Sequence, residues 1–249
     1  MTPIQLLVIN PNTSPGVSDL LQTHVQNAAG EHVRVRTVTA RFGAPYIACE
    51  ASYAVAGHAV LDAWAAALAQ NESPPDAVLI GCFGDPSLLA LRENSAAPVT
   101  ALAEAAFTEA ARYGRFAVVT GGQRWQPILE RLAHALGHST ALTGIHTVTP
   151  TGAQLAQDPV AARALLAQAC QQAAREFKAQ AIILGGAGLA GMAAAIQSQV
   201  DVPVIDSVLA GTRQALLLAS LRSSGGTGRF DVRWQQLSPE LTALGRAQN

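Results

Sequence analysis

The sequence predicts an α/β protein of two similar halves, each a mostly parallel sheet flanked by helices. Three observations carry that reading. Short apolar runs alternate with Ala- and Leu-rich segments of helical period. The apolar runs are nearly continuous, as in strands covered on both faces of a parallel sheet. Three elements then recur in the same order about 105 residues later.

The first apolar run, residues 4–9, ends in Asn10-Pro11-Asn12-Thr13-Ser14. The second, 33–38, alternates apolar and polar residues. The third, 77–80, leads into Gly81-Cys82-Phe83-Gly84 and a helical stretch over 87–93. In the second half, 116–119 precedes Thr120-Gly121-Gly122, 181–184 precedes Gly185-Gly186-Ala187-Gly188, and 202–205 ends at Asp206. Helical periodicity covers 57–70, 101–112, 127–136 and 160–178. The echo pairs Cys82 with Gly186, Pro98-Val99 with Pro203-Val204, and the turn after Ile9 with that after Val119. This organisation predicts a first domain from residues 1–102 plus 209–222, a second from 103–208, and a flexible tail over 223–249 that opens with Ser223-Ser-Gly-Gly-Thr-Gly228.

Composition narrows the function. The 249 residues carry 16 Lys+Arg against 17 Asp+Glu, a net charge of −1, so no nucleic-acid partner is expected. Charged residues are 13% of the chain, about half the usual share, so a homo-oligomer that hides apolar surface is expected. Three widely spaced cysteines make no disulfide framework and suit a reducing compartment. No cationic start precedes the first apolar run, and no apolar run reaches membrane-spanning length. A cytoplasmic protein without membrane contact is the expectation.

Cys82 is the sharpest chemical feature. It follows a buried strand, where open parallel sheets bind ligands, and a helical segment follows it. A helix N-terminus there would favour the thiolate. The spacing alone leaves two readings open, a thiol base or nucleophile and a small buried residue in a tight turn. Asn12, Thr13 and Ser14 suit either a carbonyl-binding turn or a helix cap. Cys170 reads as helix core and Cys49 as structural. Gly186-Ala-Gly-Leu-Ala-Gly191 is a weak dinucleotide fingerprint, and no cofactor is expected from it. The six histidines lack metal spacing and read as surface residues, with His146 kept as a remote pocket candidate. Tyr46, Glu50 and Asp85 are further candidates for shaping the pocket, or for packing and helix capping.

Val8-Ile-Asn-Pro-Asn-Thr-Ser14, Phe42-Gly, Glu50, Gly-Cys82-Phe-Gly-Asp-Pro, Leu-Gly-Gly186-Ala-Gly-Leu and Val202-Pro-Val-Ile-Asp206 together resemble the aspartate/glutamate/hydantoin racemase superfamily, hydantoin and allantoin racemases most of all. The likeness runs from about residue 4 to about residue 220. It implies two pseudo-symmetric Rossmann-like or flavodoxin-like domains with the active site in the cleft between them, a small carbon acid as substrate, and neither cofactor nor metal. It implies that Cys82 transfers a proton at a carbon next to a carbonyl. Asn12, Thr13, Ser14, Phe83, Gly84, Thr120, Gly121, Ala187 and Gly188 would then hold the substrate. The second cysteine of such racemases would stand at Gly186, which neither gives nor takes a proton. Two alternatives follow from that gap: a one-cysteine decarboxylase of the arylmalonate type, and a silent small-molecule binder.

Overall fold

The computed structural model describes residues 3–70, 73–150, 154–155, 158–221, 226 and 228–245. Its strands form two four-stranded sheets, parallel throughout. The first contains β1 (Ile4–Asn10), β2 (Val33–Thr39), β3 (Ala77–Ile80) and β4 (Val99–Ala101), in the order β2-β1-β3-β4. The second contains β5 (Phe116–Gly121), β6 (Leu142–Val148), β7 (Ala181–Gly185) and β8 (Val204–Asp206), in the order β6-β5-β7-β8. The two orders are the same pattern. The sequence echo is therefore structural: it pairs β1 with β5, β3 with β7 and β4 with β8.

The helices are α1 (Pro15–Ala29), α2 (Glu50–Ala69), α3 (Leu88–Asn94), α4 (Leu102–Ala111), α5 (Trp125–Ala135), α6 (Pro159–Glu176), α7 (Met192–Ile196), α8 (Ser207–Ser220) and α9 (Pro239–Ala243). Central strands β3 and β7 are buried along their whole length, which is why they read as unbroken apolar runs. Helix α8 leaves β8 and packs on α1, α4 and β3 of the first lobe. Helix α4 touches β4 of the first sheet and β7 and β8 of the second. One apolar cluster runs from Leu6 and Leu79 through Phe107 to Phe116 and Ile183 and joins the lobes, and a second, around Val119, Leu166 and Ile182, belongs to the second lobe.

The free edge of β2 is closed by two glutamines one helical turn apart on α1. Gln22 donates to the Val35 carbonyl at 3.1 Å and accepts from the Thr37 N–H at 2.9 Å. Gln26 donates to the Val33 carbonyl at 3.0 Å and accepts from the Val35 N–H at 3.2 Å. An open parallel edge is a template for pairing with another chain. Replacing both glutamines with alanine is expected to cost about 1 kcal/mol per site and to promote aggregation. An unchanged urea midpoint and unchanged light scattering would refute this role.

The tail differs from its expectation. Residues 222–225 and 227, most of the expected linker, lie outside the described residues. Beyond them the chain is docked on α2. The Phe230 ring meets Trp64 edge-on at 5.8 Å and Trp234 at 5.4 Å, and Leu241 on α9 is buried. Arg41 holds both Asp62 and Glu240, at 2.7 and 3.0 Å. Glycine-rich composition signalled the connector, but not the apolar anchors after it.

Candidate active site

The turns that follow β1, β3, β5 and β7 converge between the lobes, at the carboxyl ends of the strands. They enclose a cavity of about 70 Å³. The first lobe contributes Asn12, Val17, Gly81, Cys82 and Phe83, with Pro45, Tyr46 and Ile47 from the β2–α2 connection. The second contributes Thr120, Gly121, Trp125 and Gly185 to Gly188. Among the described residues no aspartate, glutamate, lysine, arginine or histidine lines it. Of the residues proposed from sequence, Asn12, Cys82, Phe83, Thr120, Gly121, Gly186, Ala187 and Gly188 meet here. Thr13, Ser14 and Gly84 do not line the cavity.

The Asn10–Ser14 turn explains why Thr13 and Ser14 sit outside it. Asn10 is fully buried and its amide donates to the Asn12 Oδ1, the Ser14 carbonyl and the Ser18 hydroxyl at 3.0–3.1 Å. Ser14 is the N-cap of α1, and its N–H goes to the Asn12 Oδ1 at 2.9 Å. Thr13 donates its N–H to the Ala44 carbonyl and so ties down the β2–α2 connection. With its oxygen held inside the turn, Asn12 has its amide N–H groups to offer the cavity.

Cys82 opens the loop between β3 and α3. Its residue is 8% exposed, and that exposure is on the cavity. The expected lowering of its thiol pKa is not what the structure gives. Burial, and then the charge of nearby Asp85, push the thiol above the ordinary cysteine value. No helix N-terminus compensates, because α3 starts only at Leu88, after left-handed backbone at Asp85 and Ser87 (φ +54° and +59°). Asp85 accepts the Ala103 and Glu104 N–H groups at 2.8 and 2.7 Å, capping α4, whose own N-cap Ala101 has no side-chain acceptor.

Unused backbone donors supply the polarity of the cavity. The N–H groups of Cys82 and Phe83 in one lobe, and of Ala187 and Gly188 in the other, have no acceptor among the described residues. An N–H denied a partner in a buried place is costly unless a ligand takes it. Four such donors, from two lobes, suit carbonyl oxygens that gain negative charge during a reaction. The Gly84 and Gly186 N–H groups are already used, by the Cys82 carbonyl and the Ser207 hydroxyl. The Thr120 hydroxyl donates to the Gly185 carbonyl at 2.8 Å, so it joins β5 to β7.

Each lobe inserts a ring against a glycine of the other. A Cβ on Gly185 would lie 2.2 Å from the Phe83 ring, and one on Gly84 would lie 2.5 Å from the Trp125 indole. Trp125 also donates its Nε1–H to the Tyr46 hydroxyl at 3.3 Å, and that hydroxyl donates to the Gly121 carbonyl at 3.0 Å. Glu50 pairs with Arg131 of α5 at 2.7 Å, on the exposed rim. Sequence reasoning named Tyr46 and Glu50 as candidates but did not name Trp125, which carries no local motif.

Residues 6–215 match the model of the Asp/Glu/Hydantoin racemase family. The chain belongs to that family. It is a racemase-type isomerase. It is 31% identical to the hydantoin racemase of Paenarthrobacter aurescens over 219 residues, 88% of this chain and 92% of that one. It is 32% identical to the hydantoin racemase of Pseudomonas sp. (strain NS671) over 220 residues, 88% and 87% of the two chains. The structure of allantoin racemase from Pseudomonas fluorescens superposes with a TM-score of 0.85 over 99% of both chains, at 27% identity.

Within this racemase fold, Gly186 is more than a missing side chain. Its φ of +139° is a conformation that L side chains rarely adopt. A Cβ there would meet nothing closer than Leu189, at 3.7 Å, so the space exists while the backbone has moved away from what a cysteine needs. The remaining candidates lie elsewhere. Cys170 is buried in the α6 core. Cys49 is the N-cap of α2, where the Ser52 hydroxyl favours its thiolate, and it is not a lining residue. His146 lies in β6, away from the cavity lining. His138 is not simply a surface residue: its ring meets Phe107 and Phe116 edge-on, and burial lowers its pKa. Among the described residues no cluster of histidine, cysteine and acidic groups has metal-binding form, and no helix is long and apolar enough to cross a membrane.

Proposed function

We propose that this racemase acts without cofactor or metal on neutral cyclic imides of the 5-substituted hydantoin type, with Cys82 as the proton-transfer group. The observation that carries the substrate class is the cavity lining. Among the described residues it holds no ionised side chain, but four unused backbone N–H groups from two lobes and the Asn12 amide. Charged amino acids or malonates would lose their hydration there without gaining a counter-ion. A hydantoin ring, with one carbonyl next to the reacting C–H and a second between its two nitrogens, keeps its neutrality and presents oxygens to the N–H groups. In the forward step the α-proton moves to the Cys82 sulfur as thiolate. The C–H electron pair passes into the adjacent carbonyl, whose oxygen becomes an enolate held by backbone donors. Return of the proton from Cys82 restores the same hand. Inversion needs a donor on the Gly186 side, and the space there suits a water molecule. The hand-relating reactions reported by the names of its relatives, hydantoin and allantoin racemases, support the same reading.

Proton NMR in deuterated water, followed with optical rotation, tests this on 5-substituted hydantoins, allantoin, aspartate, glutamate and an arylmalonate. Hydantoin α-proton exchange is expected, with no reaction of the two amino acids. Loss of optical activity at the exchange rate places a donor on the Gly186 face; exchange with retained activity makes the chain a one-faced catalyst. Decarboxylation of the malonate, or silence with every compound, overturns the reading in favour of a one-cysteine decarboxylase or a binder. The reading includes a homo-oligomer in the cytoplasm, supported by the low charge and by Leu89, Val160 and Leu221, each more than 60% exposed.

A further inference from the structure

We propose that Asp85 is a positioning residue for Cys82: its buried carboxyl ties the cysteine loop to the first turn of α4 and stands beside the thiol, so that a charge on one group opposes a charge on the other. The geometry carries the first half. Asp85 is 2% exposed and lies three residues beyond Cys82, whose carbonyl takes the Asp85 N–H at 3.2 Å. Its φ of +54° is unfavourable for an aspartate, a cost that only surrounding contacts can sustain. Those contacts are the two α4 N–H groups, which Ala101 cannot serve itself. The loop is held again from α2, where the Tyr53 hydroxyl donates to the Gly84 carbonyl at 2.8 Å, and by the Ser87 hydroxyl on the Gly57 carbonyl at 2.9 Å. Because α4 also packs on β7 and β8, fixing the loop to α4 fixes Cys82 relative to the lobe that carries Gly186.

The second half follows from what surrounds the carboxylate. Cys82 faces it from the same loop, Tyr53 from α2 and Glu104 from α4, with the Arg131–Glu50 pair beyond Tyr53. Among the described residues no cation is paired with it; its partners are neutral N–H groups, Arg131 lines the same surface cavity, and Arg92 holds Glu104 at 2.6 Å. Burial raises the Asp85 carboxyl to about 7, and the same burial raises the thiol. Ionising either group makes ionising the other harder.

The inference rests on Cys82 being the proton-transfer group, but its test reads the thiol directly, with no substrate present. The alkylation rate of Cys82 by iodoacetamide is followed from pH 5.5 to 9.5, with mass spectrometry separating it from Cys49 and Cys170. In the unaltered protein the logarithm of the rate should flatten just above pH 7, where the Asp85 charge appears, and rise again at higher pH. In Asp85→Asn the shoulder should vanish, the slope should be uniform, and the rate at pH 8 should rise about tenfold, one unit of thiol pKa. A helix cap with no electrostatic role would lower the melting temperature and leave the profile alone. A uniform slope in the unaltered protein overturns the proposal whether or not Asp85→Asn folds. So does a folded Asp85→Asn protein whose profile superposes on the parent. Hydantoin exchange that persisted in Cys82→Ala would instead overturn the proposed function, not this pairing of groups.

Discussion

Cys82→Ala is expected to abolish α-proton exchange in hydantoins, by at least a hundredfold to ten-thousandfold, while leaving binding within a few-fold of the parent. The size is that of removing a positioned acid/base group. Its basis is the cavity lining, in which, among the described residues, only Cys82 and Tyr46 can titrate, and the Tyr46 hydroxyl is already committed to the Gly121 carbonyl. Binding should persist because the donors that hold the carbonyls are the Asn12 amide and backbone N–H groups, none of which is lost with the sulfur. Exchange is read by NMR in deuterated water, and affinity by calorimetry with a non-reacting 5,5-disubstituted hydantoin. A variant that exchanges protons at the parental rate would move the chemistry to a group other than Cys82. A variant that neither binds nor folds would be uninformative alone, so Cys82→Ser, nearly isosteric, is measured beside it and should lose exchange equally.

Much of this site was legible in the sequence because it is local. Strand, tight turn and glycine occur within ten residues, and four such turns name most of the lining: Asn12, Cys82-Phe83, Thr120-Gly121 and Gly186 to Gly188. The echo also exposed the asymmetry between Cys82 and Gly186 without any coordinates. What escaped depends on contacts between distant segments. Trp125 enters the cavity only because Gly84, forty-one residues earlier, leaves room for its ring. Asp85 caps a helix that starts at Leu102, a pairing that no local capping pattern contains. The direction of the thiol's shift is hidden from the sequence for a related reason. A nearby helix start can be guessed from sequence, but the depth of burial and a carboxylate three residues away outweigh it. Helices α1 and α8 carry a weak sequence signal because their buried stripes are sparse or small and partly polar: Ser18, Leu21 and Val25 on α1, and Ser207, Gly211 and Thr212 beside Val208 and Ala215 on α8. Phe230 and Leu241 give little local signal as anchors because the glycine-rich connector dominates the composition before them.

The two glycines at the end of β7 should fail differently when each is replaced by alanine, and the contrast tests how the lobes are assembled. In Gly185→Ala the new methyl group would stand 2.2 Å from the Phe83 ring, closer than any real contact. Phe83 cannot retreat freely, since its other side meets the Phe107 ring at 6.1 Å centroid separation, within the shared core. Overpacking of this kind costs about 1–3 kcal/mol. Here it also displaces the loop that carries Cys82, so exchange should fall by about a hundredfold or more, mostly in kcat. Gly186→Ala meets only Leu189, at 3.7 Å, so its cost is conformational: a φ of +139° imposed on an L side chain, again about 1–3 kcal/mol. That strain is relieved by rotating the backbone at Gly186, which turns the Ala187 and Gly188 N–H groups rather than Cys82. KM should therefore rise more than kcat falls. If the two variants show the same division between kcat and KM, Phe83 does not set the position of Cys82 across the lobes. If Gly186→Ala is as stable as the parent, the loop is free to take an ordinary backbone, and a cysteine placed there would be tolerated as the second proton carrier.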